Sequence, residues 1–274
     1  MVRQAGMNKV VIITGGSSGI GAAAARALRA EGATVAITGR SEETLRLAGE
    51  IGARGFLVDF ARLSEVRSLA GRLLSVYPRI DVLANNAGTV VANRQVTEDG
   101  HEETLQVNHL AGFLLTLLLR ERLEESGATV INTSSGMQRF GVIDFTDFEN
   151  QGGYDPMRAY GTTKLMNILH AAEISRQFRG VHGVSFRPGG VATGIARGGT
   201  WWMRWLYGPI LGRLLLMPAE KGADTLVWLA TTRPGADWTP GACYRRRLRS
   251  EVKPEANDLD LARELWESSE AAVG

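Results

Sequence analysis

The β-branched run Val10-Val11-Ile12-Ile13 ends in Thr14-Gly15-Gly16-Ser17-Ser18-Gly19-Ile20-Gly21, and an Ala- and Leu-rich stretch over 22–31 follows at once. The first segment has strand character and the last is strongly helix-forming. A strand that turns through glycines into a helix predicts a parallel α/β layer, with the turn at the sheet's carboxyl edge. Glycines let a backbone approach a ligand closely, and a helix N-terminus offers free N–H groups with a partial positive charge. Together they suit a pyrophosphate. The spacing Gly15-x-x-x-Gly19-x-Gly21 differs from the G-x-G-x-x-G fingerprint of other dinucleotide-binding units.

The same alternation runs on along the chain. Strand-type segments fall at 34–38, 55–58, 81–84, 128–133, 181–186 and 241–244. Helical patterns fall at 42–50, 63–77, 103–124, from Tyr160 to Arg179, at 219–231 and at 259–272. Strands alternating with helices predict a doubly wound parallel sheet. No linker, repeat or composition break divides it, so residues 1–274 read as a single domain with a frayed lead-in at 1–8. Ligands bind beyond the carboxyl ends of strands in such sheets, and every polar motif below falls at one of those ends.

After the second strand comes Gly39-Arg40-Ser41, with no Asp or Glu at Thr38 or Gly39. An acid there would bond a ribose 2′-hydroxyl, whereas an arginine accommodates a 2′-phosphate, so the pattern favours NADP(H) over NAD(H). The competing reading of Arg40 is a solvated arginine at a helix start. Asp59 follows the third strand, where it can accept from an adenine amino group, cap the next helix, or do both. Phe60 is its neighbour. Asn85-Asn86-Ala87-Gly88 after the fourth strand suits a turn whose side chains bond adjacent backbone and would line the cofactor floor. Asn108 interrupts an apolar helix and needs partners, as either a helix-bender or a holder of ordered water. The fifth strand ends in Ser134-Ser135, and the sixth in Arg187-Pro188-Gly189-Gly190-Val191-Ala192-Thr193.

Tyr160-Gly161-Thr162-Thr163-Lys164 places a phenol and an ammonium one helical turn apart on one face. The positive charge favours the phenolate. Bringing a tyrosine (ordinarily about 10) near neutrality takes roughly 3 units, or about 4 kcal/mol. One lysine does not supply that alone, and a cationic cofactor ring would add to it. Chance pairing of Tyr and Lys on a helix is the bland alternative.

Composition narrows the function classes. The net charge of +2 and dispersed arginines argue against nucleic acid as partner, and Arg245-Arg246-Arg247-Leu248-Arg249 is too short a cluster to change that. Only four lysines occur, one of them Lys164. Cys243 is the sole cysteine, which precludes an internal disulfide and is compatible with a reducing, cytoplasmic interior. The start lacks an apolar signal core. None of the histidines shares ligand spacing with another, so no catalytic metal is expected. Residues 194–218 carry Trp201, Trp202, Trp205 and Tyr207 among leucines and arginines. They read as a lid for a bulky apolar substrate, with core packing, an oligomer contact or a peripheral membrane contact as the competing readings. Gly208-Pro209 and the arginines interrupt them too much to span a bilayer.

Taken together, Thr14–Gly21, Asn85–Gly88, Asn108, Ser135, Tyr160-x-x-x-Lys164 and Pro188-Gly189 resemble the short-chain dehydrogenase/reductase family. The segment from Val107 to Thr116 and the long Ser135-to-Tyr160 spacing look most like its retinol dehydrogenase-like branch. The resemblance implies a Rossmann-like sheet of about seven strands in the order 3-2-1-4-5-6-7, and a catalytic set of Asn108, Ser135, Tyr160 and Lys164. It implies an NADP(H) site on Gly15, Ser17, Ser18, Gly19, Ile20, Gly21, Arg40, Ser41, Asp59, Phe60, Asn86, Ala87, Gly88, Tyr160, Lys164, Pro188, Gly189, Val191 and Thr193. It further implies a lipophilic carbonyl or alcohol substrate. By family analogy, the helices at 103–124 and 160–179 would pair between subunits of a homodimer or homotetramer. A catalytically silent nucleotide sensor or scaffold is the alternative from another function class.

Overall fold

The sheet order is β3-β2-β1-β4-β5-β6-β7-β8 in a computed structural model that describes residues 8–189 and 218–274. The strands are β1 (Val10–Ile13), β2 (Thr34–Gly39), β3 (Arg54–Leu57), β4 (Val82–Asn85), β5 (Thr129–Thr133), β6 (His182–Phe186), β7 (Cys243–Arg245) and β8 (Leu248–Arg249). Neighbours from β3 to β7 run parallel, and β8 returns antiparallel to β7. This is the doubly wound α/β sheet, with one strand beyond the expected seven. The addition comes from the basic cluster. Arg246 and Arg247 both take positive φ (51° and 62°), the geometry of a two-residue hairpin turn usually signalled by Asn-Gly. Two arginines there carry no such signal.

Alternation along the strands sorts side chains onto two faces. On β1, Ile12 joins one apolar cluster while Val11 and Ile13 join the other. The first cluster packs against α3 (Leu63–Val76), α4 (Ala111–Leu118), α6 (Pro156–Gln177) and α8 (Leu259–Val273); α5 (Arg120–Ser126) adds Leu123. The second packs against α1 (Gly19–Ala30), α2 (Glu43–Ile51) and α7 (Ala219–Thr231). Each fully buried Ile or Leu contributes about 1.5–3 kcal/mol to this arrangement.

The single helix expected over 103–124 is broken. A short turn at Glu103–Leu105 runs into a π turn, Gln106–Leu110, then α4, and Leu119 separates α4 from α5. Asn108 lies inside the π turn, so the helix-bender reading matches the local geometry; such turns recur at functional sites. The N-cap reading of Asp59 does not hold. Its Oδ1 accepts from Ala61 N at 3.0 Å, closing a turn, while the first amide of α3, Leu63 N, donates to the distant Asp99.

The C-terminal helix α8 closes over α4 and α6. The Trp266 ring meets Phe113 at 4.9 Å, and His170 and Phe178 at 5.8 Å. His101 ties its far end to the loop ahead of α6. Nδ1 meets Glu149 Oε1 at 2.8 Å and Nε2 meets the Ala272 carbonyl at 3.0 Å. Both partners only accept, so the ring carries both protons, and the hydrogen bond to Glu149 raises its pKa. A raised folded-state pKa gives stability that is present below the unfolded value of about 6.5 and lost as pH rises through the folded value. His101→Gln should therefore lower the melting temperature more at pH 6 than at pH 9. Equal losses at both pH values would reject the imidazolium.

Candidate active site

The carboxyl ends of β1 to β6 and the first turns of α1 and α6 enclose a cavity of about 970 Å³. The glycine turn forms its floor. A Cβ on Gly21 would stand 2.3 Å from the Gly15 carbonyl oxygen and 2.8 Å from Asn86 Nδ2, so no side chain fits there. Asn86 binds this turn to the next strand end, donating from Nδ2 to the Thr14 carbonyl at 2.9 Å and the Gly15 carbonyl at 3.3 Å. Thr14 Oγ1 accepts from Asn86 N and Ala87 N at 2.9 and 3.0 Å. The helix begins at Gly19, three residues before the sequence suggested, so its first free amides belong to the glycine turn itself.

Of the expected cofactor residues, Gly15, Ser17, Ser18, Gly19, Ile20, Arg40, Ser41, Asp59, Phe60, Asn86, Ala87, Gly88, Pro188 and Gly189 line this cavity, and Gly21 lies beneath it. Val191, Thr193, the 194–217 stretch and its tryptophans lie outside the described residues. Arg40 is exposed and forms no ion pair with the described residues.

Ser135, Tyr160 and Lys164 line the same cavity. The two serines part ways as strand-end neighbours must. Ser134 is buried and donates to the Lys164 carbonyl at 2.7 Å, while Ser135 faces the cavity and its Oγ accepts from Met137 N at 3.3 Å. Asp155 caps α6 by accepting from Met157 N and Arg158 N (2.8 and 2.7 Å), and Pro156 supplies its first residue. Tyr160 thus stands in the second turn of a 22-residue helix, packed against Val90, Met137 and Met157. Lys164 Nζ lies 5.3 Å from the Tyr160 ring centroid.

Lys164 is 2% exposed, and Nζ donates to the Thr133 carbonyl at 3.3 Å. Burial lowers its pKa to about 8. Asn108 is held on three sides. Its Oδ1 accepts from Thr89 N at 2.6 Å, and its Nδ2 donates to the Thr89 carbonyl at 2.9 Å and to Thr163 Oγ1 at 3.2 Å. A Cβ on Gly88 would fall 3.2 Å from Asn108 Oδ1 and 3.3 Å from Lys164 Nζ. The bare glycine therefore leaves a slot against the ammonium that a ligand hydroxyl can enter. The structure brings Ser135, Tyr160 and Lys164 into one cavity with the glycine turn, Arg40 and Ser41, whereas Asn108 lies buried behind Gly88 and is not among the residues that line it.

Comparisons with known proteins agree with the geometry. Residues 9–199 match the short chain dehydrogenase model. The chain belongs to the short-chain dehydrogenase family. One relative of this short-chain dehydrogenase is 46% identical over 97% of this chain and 93% of its own length. It is a Streptomyces sp. (strain C5) protein, DnrU, named provisionally as a daunorubicin C-13 ketoreductase. Mouse (Mus musculus) retinol dehydrogenase 14 is 35% identical over 97% of this chain and 86% of its own. The chain therefore lies near the retinol dehydrogenase-like branch. A solved short chain dehydrogenase from Shigella flexneri 2a, complexed with NADP, superposes with a TM-score of 0.63. It is 25% identical and covers 84% of this chain and 94% of its own.

Some residues of the cavity and of the buried layer beneath it carry no strong signal in the sequence. Thr14 crosslinks two strand ends, and its hydroxyl at the close of a β-branched run was the available signal. Arg187 and Arg245 also line the cavity; in the sequence Arg187 stands out only as the start of a rigid turn. Asn167 lies three residues after Lys164 on the same helix, an amide in an apolar stretch like Asn108.

Proposed function

We propose that this short-chain dehydrogenase is an NADP(H)-dependent carbonyl reductase or alcohol dehydrogenase. It would act on a lipophilic ketone or aldehyde, or the matching alcohol. The observation that carries the reading is the convergence of Ser135, Tyr160 and Lys164 on a cavity floored by the glycine turn. The nicotinamide would supply the hydride. Ser135 donates a hydrogen bond to the substrate carbonyl oxygen and holds it within about 3 Å of the Tyr160 hydroxyl. Tyr160 gives its proton to the developing alkoxide, or takes one in the oxidising direction. Lys164 favours the tyrosinate and would donate to a ribose hydroxyl of the cofactor. Asn108, fixed on Thr89 and Thr163, would hold a water leading from Lys164 to solvent.

Apolar residues surround the substrate side of Tyr160. Val90, Val91, Met137 and Met157 line the cavity, and beside it Phe140, 53% exposed, lines a second depression of about 550 Å³. This supports a lipophilic substrate, as do the ketoreductase and retinol dehydrogenase names of the relatives. We read the protein as cytoplasmic. Among the described residues no helix is long and apolar enough to cross a membrane. We further read the protein as a homodimer or homotetramer; Trp266 of α8 occupies part of α4 and α6 and leaves the remainder of those helices for a partner.

Fluorescence titration with NADPH, followed by turnover on a panel of lipophilic ketones and aldehydes, tests the reading. Binding with no turnover on any of them would favour a nucleotide sensor. The absence of an acid after β2, with the exposed Arg40 in its place, supports NADP(H). A charged hydrogen bond contributes about 1.5–3 kcal/mol, so Arg40→Asp should shift preference from NADP(H) toward NAD(H) by on the order of 10–10²-fold. An unchanged preference ratio rejects the 2′-phosphate role.

A further inference from the structure

Behind Lys164 the apolar packing of α6 is interrupted by an amide. Asn167 is three residues on, shares the helix face of Lys164 and is 5% exposed. Its Nδ2 donates to two main-chain carbonyls, those of Asn108 at 3.0 Å and Thr133 at 3.1 Å. The Thr133 carbonyl is also the acceptor for Lys164 Nζ. One amide thus joins the end of β5 to the π turn, and those two segments frame the ammonium.

The direction of the chain behind it follows from the chemistry of its members. With both Nδ2 protons spent on carbonyls, the atom of Asn167 facing His109 Nδ1, 3.3 Å away, is Oδ1. An amide oxygen only accepts, so Nδ1 carries the histidine proton. His109 Nε2 is then bare and accepts from Ser269 Oγ on α8, 2.9 Å away. Burial lowers the pKa of His109 to about 4, so the ring is neutral; the titratable groups near it are Lys164 and His170, which offer no negative charge. The donors run one way: Ser269 to His109, His109 to Asn167, and Asn167 to the two carbonyls that frame Lys164.

We propose that Asn167 is a positioning residue for Lys164, oriented by Ser269 of the C-terminal helix through a neutral, Nδ1-protonated His109. The proposal rests on the reading of Lys164 as the partner of Tyr160, and it names what holds that lysine. It also gives α8 a part in the site beyond covering the core, since Ser269 supplies the first donor of the chain. An amide that only satisfied two buried carbonyls would stabilise the fold and leave the chemistry unchanged.

Two measurements on the whole protein decide the matter. In ¹⁵N-histidine-labelled wild type at pH 7, the His109 ring, assigned by its loss in His109→Gln, should give the Nδ1–H pattern. An Nε2–H or doubly protonated ring overturns the proposal without any appeal to activity. Asn167→Ala should lower kcat on the order of 10–10²-fold through misplacement of Lys164, and should shift the basic limb of the kcat pH profile. Ser269→Ala should move both in the same direction by less. If the folded variants keep the wild-type kcat and pH limb, Asn167 is structural only. Should Asn167→Ala fail to fold, Ser269→Ala and the tautomer still decide. Tyr160→Phe separates the two layers: full turnover in that variant sinks the enzymatic reading, whereas Tyr160-dependent turnover indifferent to Asn167 and Ser269 sinks only this one.

Discussion

Tyr160→Phe should lose on the order of 10²–10⁴ of turnover, the usual contribution of a general acid, while NADPH still binds. The second half of that outcome is as informative as the first. Tyr160 is nearly buried, and its ring packs against Val90, Met137 and Met157. Phenylalanine keeps the ring and those contacts and removes only the oxygen. The glycine turn and Asn86 stand at other strand ends and do not depend on the hydroxyl. A loss of kcat with little change in cofactor affinity therefore isolates proton transfer from binding. Stopped-flow hydride transfer and fluorescence titration on the same preparation would read the two separately. If the Tyr160→Phe variant turned over the true substrate at the wild-type rate, the acid would have to be another group, and Ser135 would be the next oxygen to test.

Much of this site was legible because it depends on local chemistry at strand ends. The glycine turn, the polar residues after each strand and the Tyr-x-x-x-Lys spacing all fall where a parallel sheet puts its ligands, and the observed register brings them to one cavity. What the sequence did not reveal depends on geometry that residue type leaves open. The break in the 103–124 helix comes from a π turn; Asn108 marks a bend there, but no residue type in Gln106–Leu110 specifies a widened ladder. The hairpin at Arg246-Arg247 uses positive φ without Gly or Asn. The network from Ser269 to Asn167 joins residues more than 100 positions apart, and no local pattern encodes such a contact. Asp59 shows the reverse case. Its residue type suits a helix cap, but α3 starts too late for it and draws its cap from Asp99 instead.

Lys164→Met should abolish turnover and make the protein more stable. The wild-type ammonium is buried, it has the Thr133 carbonyl at 3.3 Å as acceptor, and no carboxylate pairs with it among the described residues. Burial lowers its pKa from 10.5 to about 8. A lysine whose folded-state pKa lies below the unfolded value destabilises the fold fully at any pH below the lower of the two. The penalty shrinks as pH rises from about 8 toward 10.5, because the folded protein sheds the proton first. A gap of about 2.5 units corresponds to about 3 kcal/mol at neutral pH. Methionine has similar length, no charge and enough flexibility to fill the space. The gain should appear as a rise in melting temperature of about 5 °C or more at pH 7, fading by about pH 10.5. A variant less stable than wild type at pH 7 would mean the ammonium is well satisfied in the free protein, and the argument fails. The same logic fixes a difference on cofactor binding. Ribose hydroxyls in the slot beside Gly88 would give the buried ammonium further acceptors. Saturating NADPH should then raise the melting temperature of the wild type more than that of the variant, narrowing or reversing the gap between them. A site built this way trades stability of the empty fold for a charge held ready at the point of reaction.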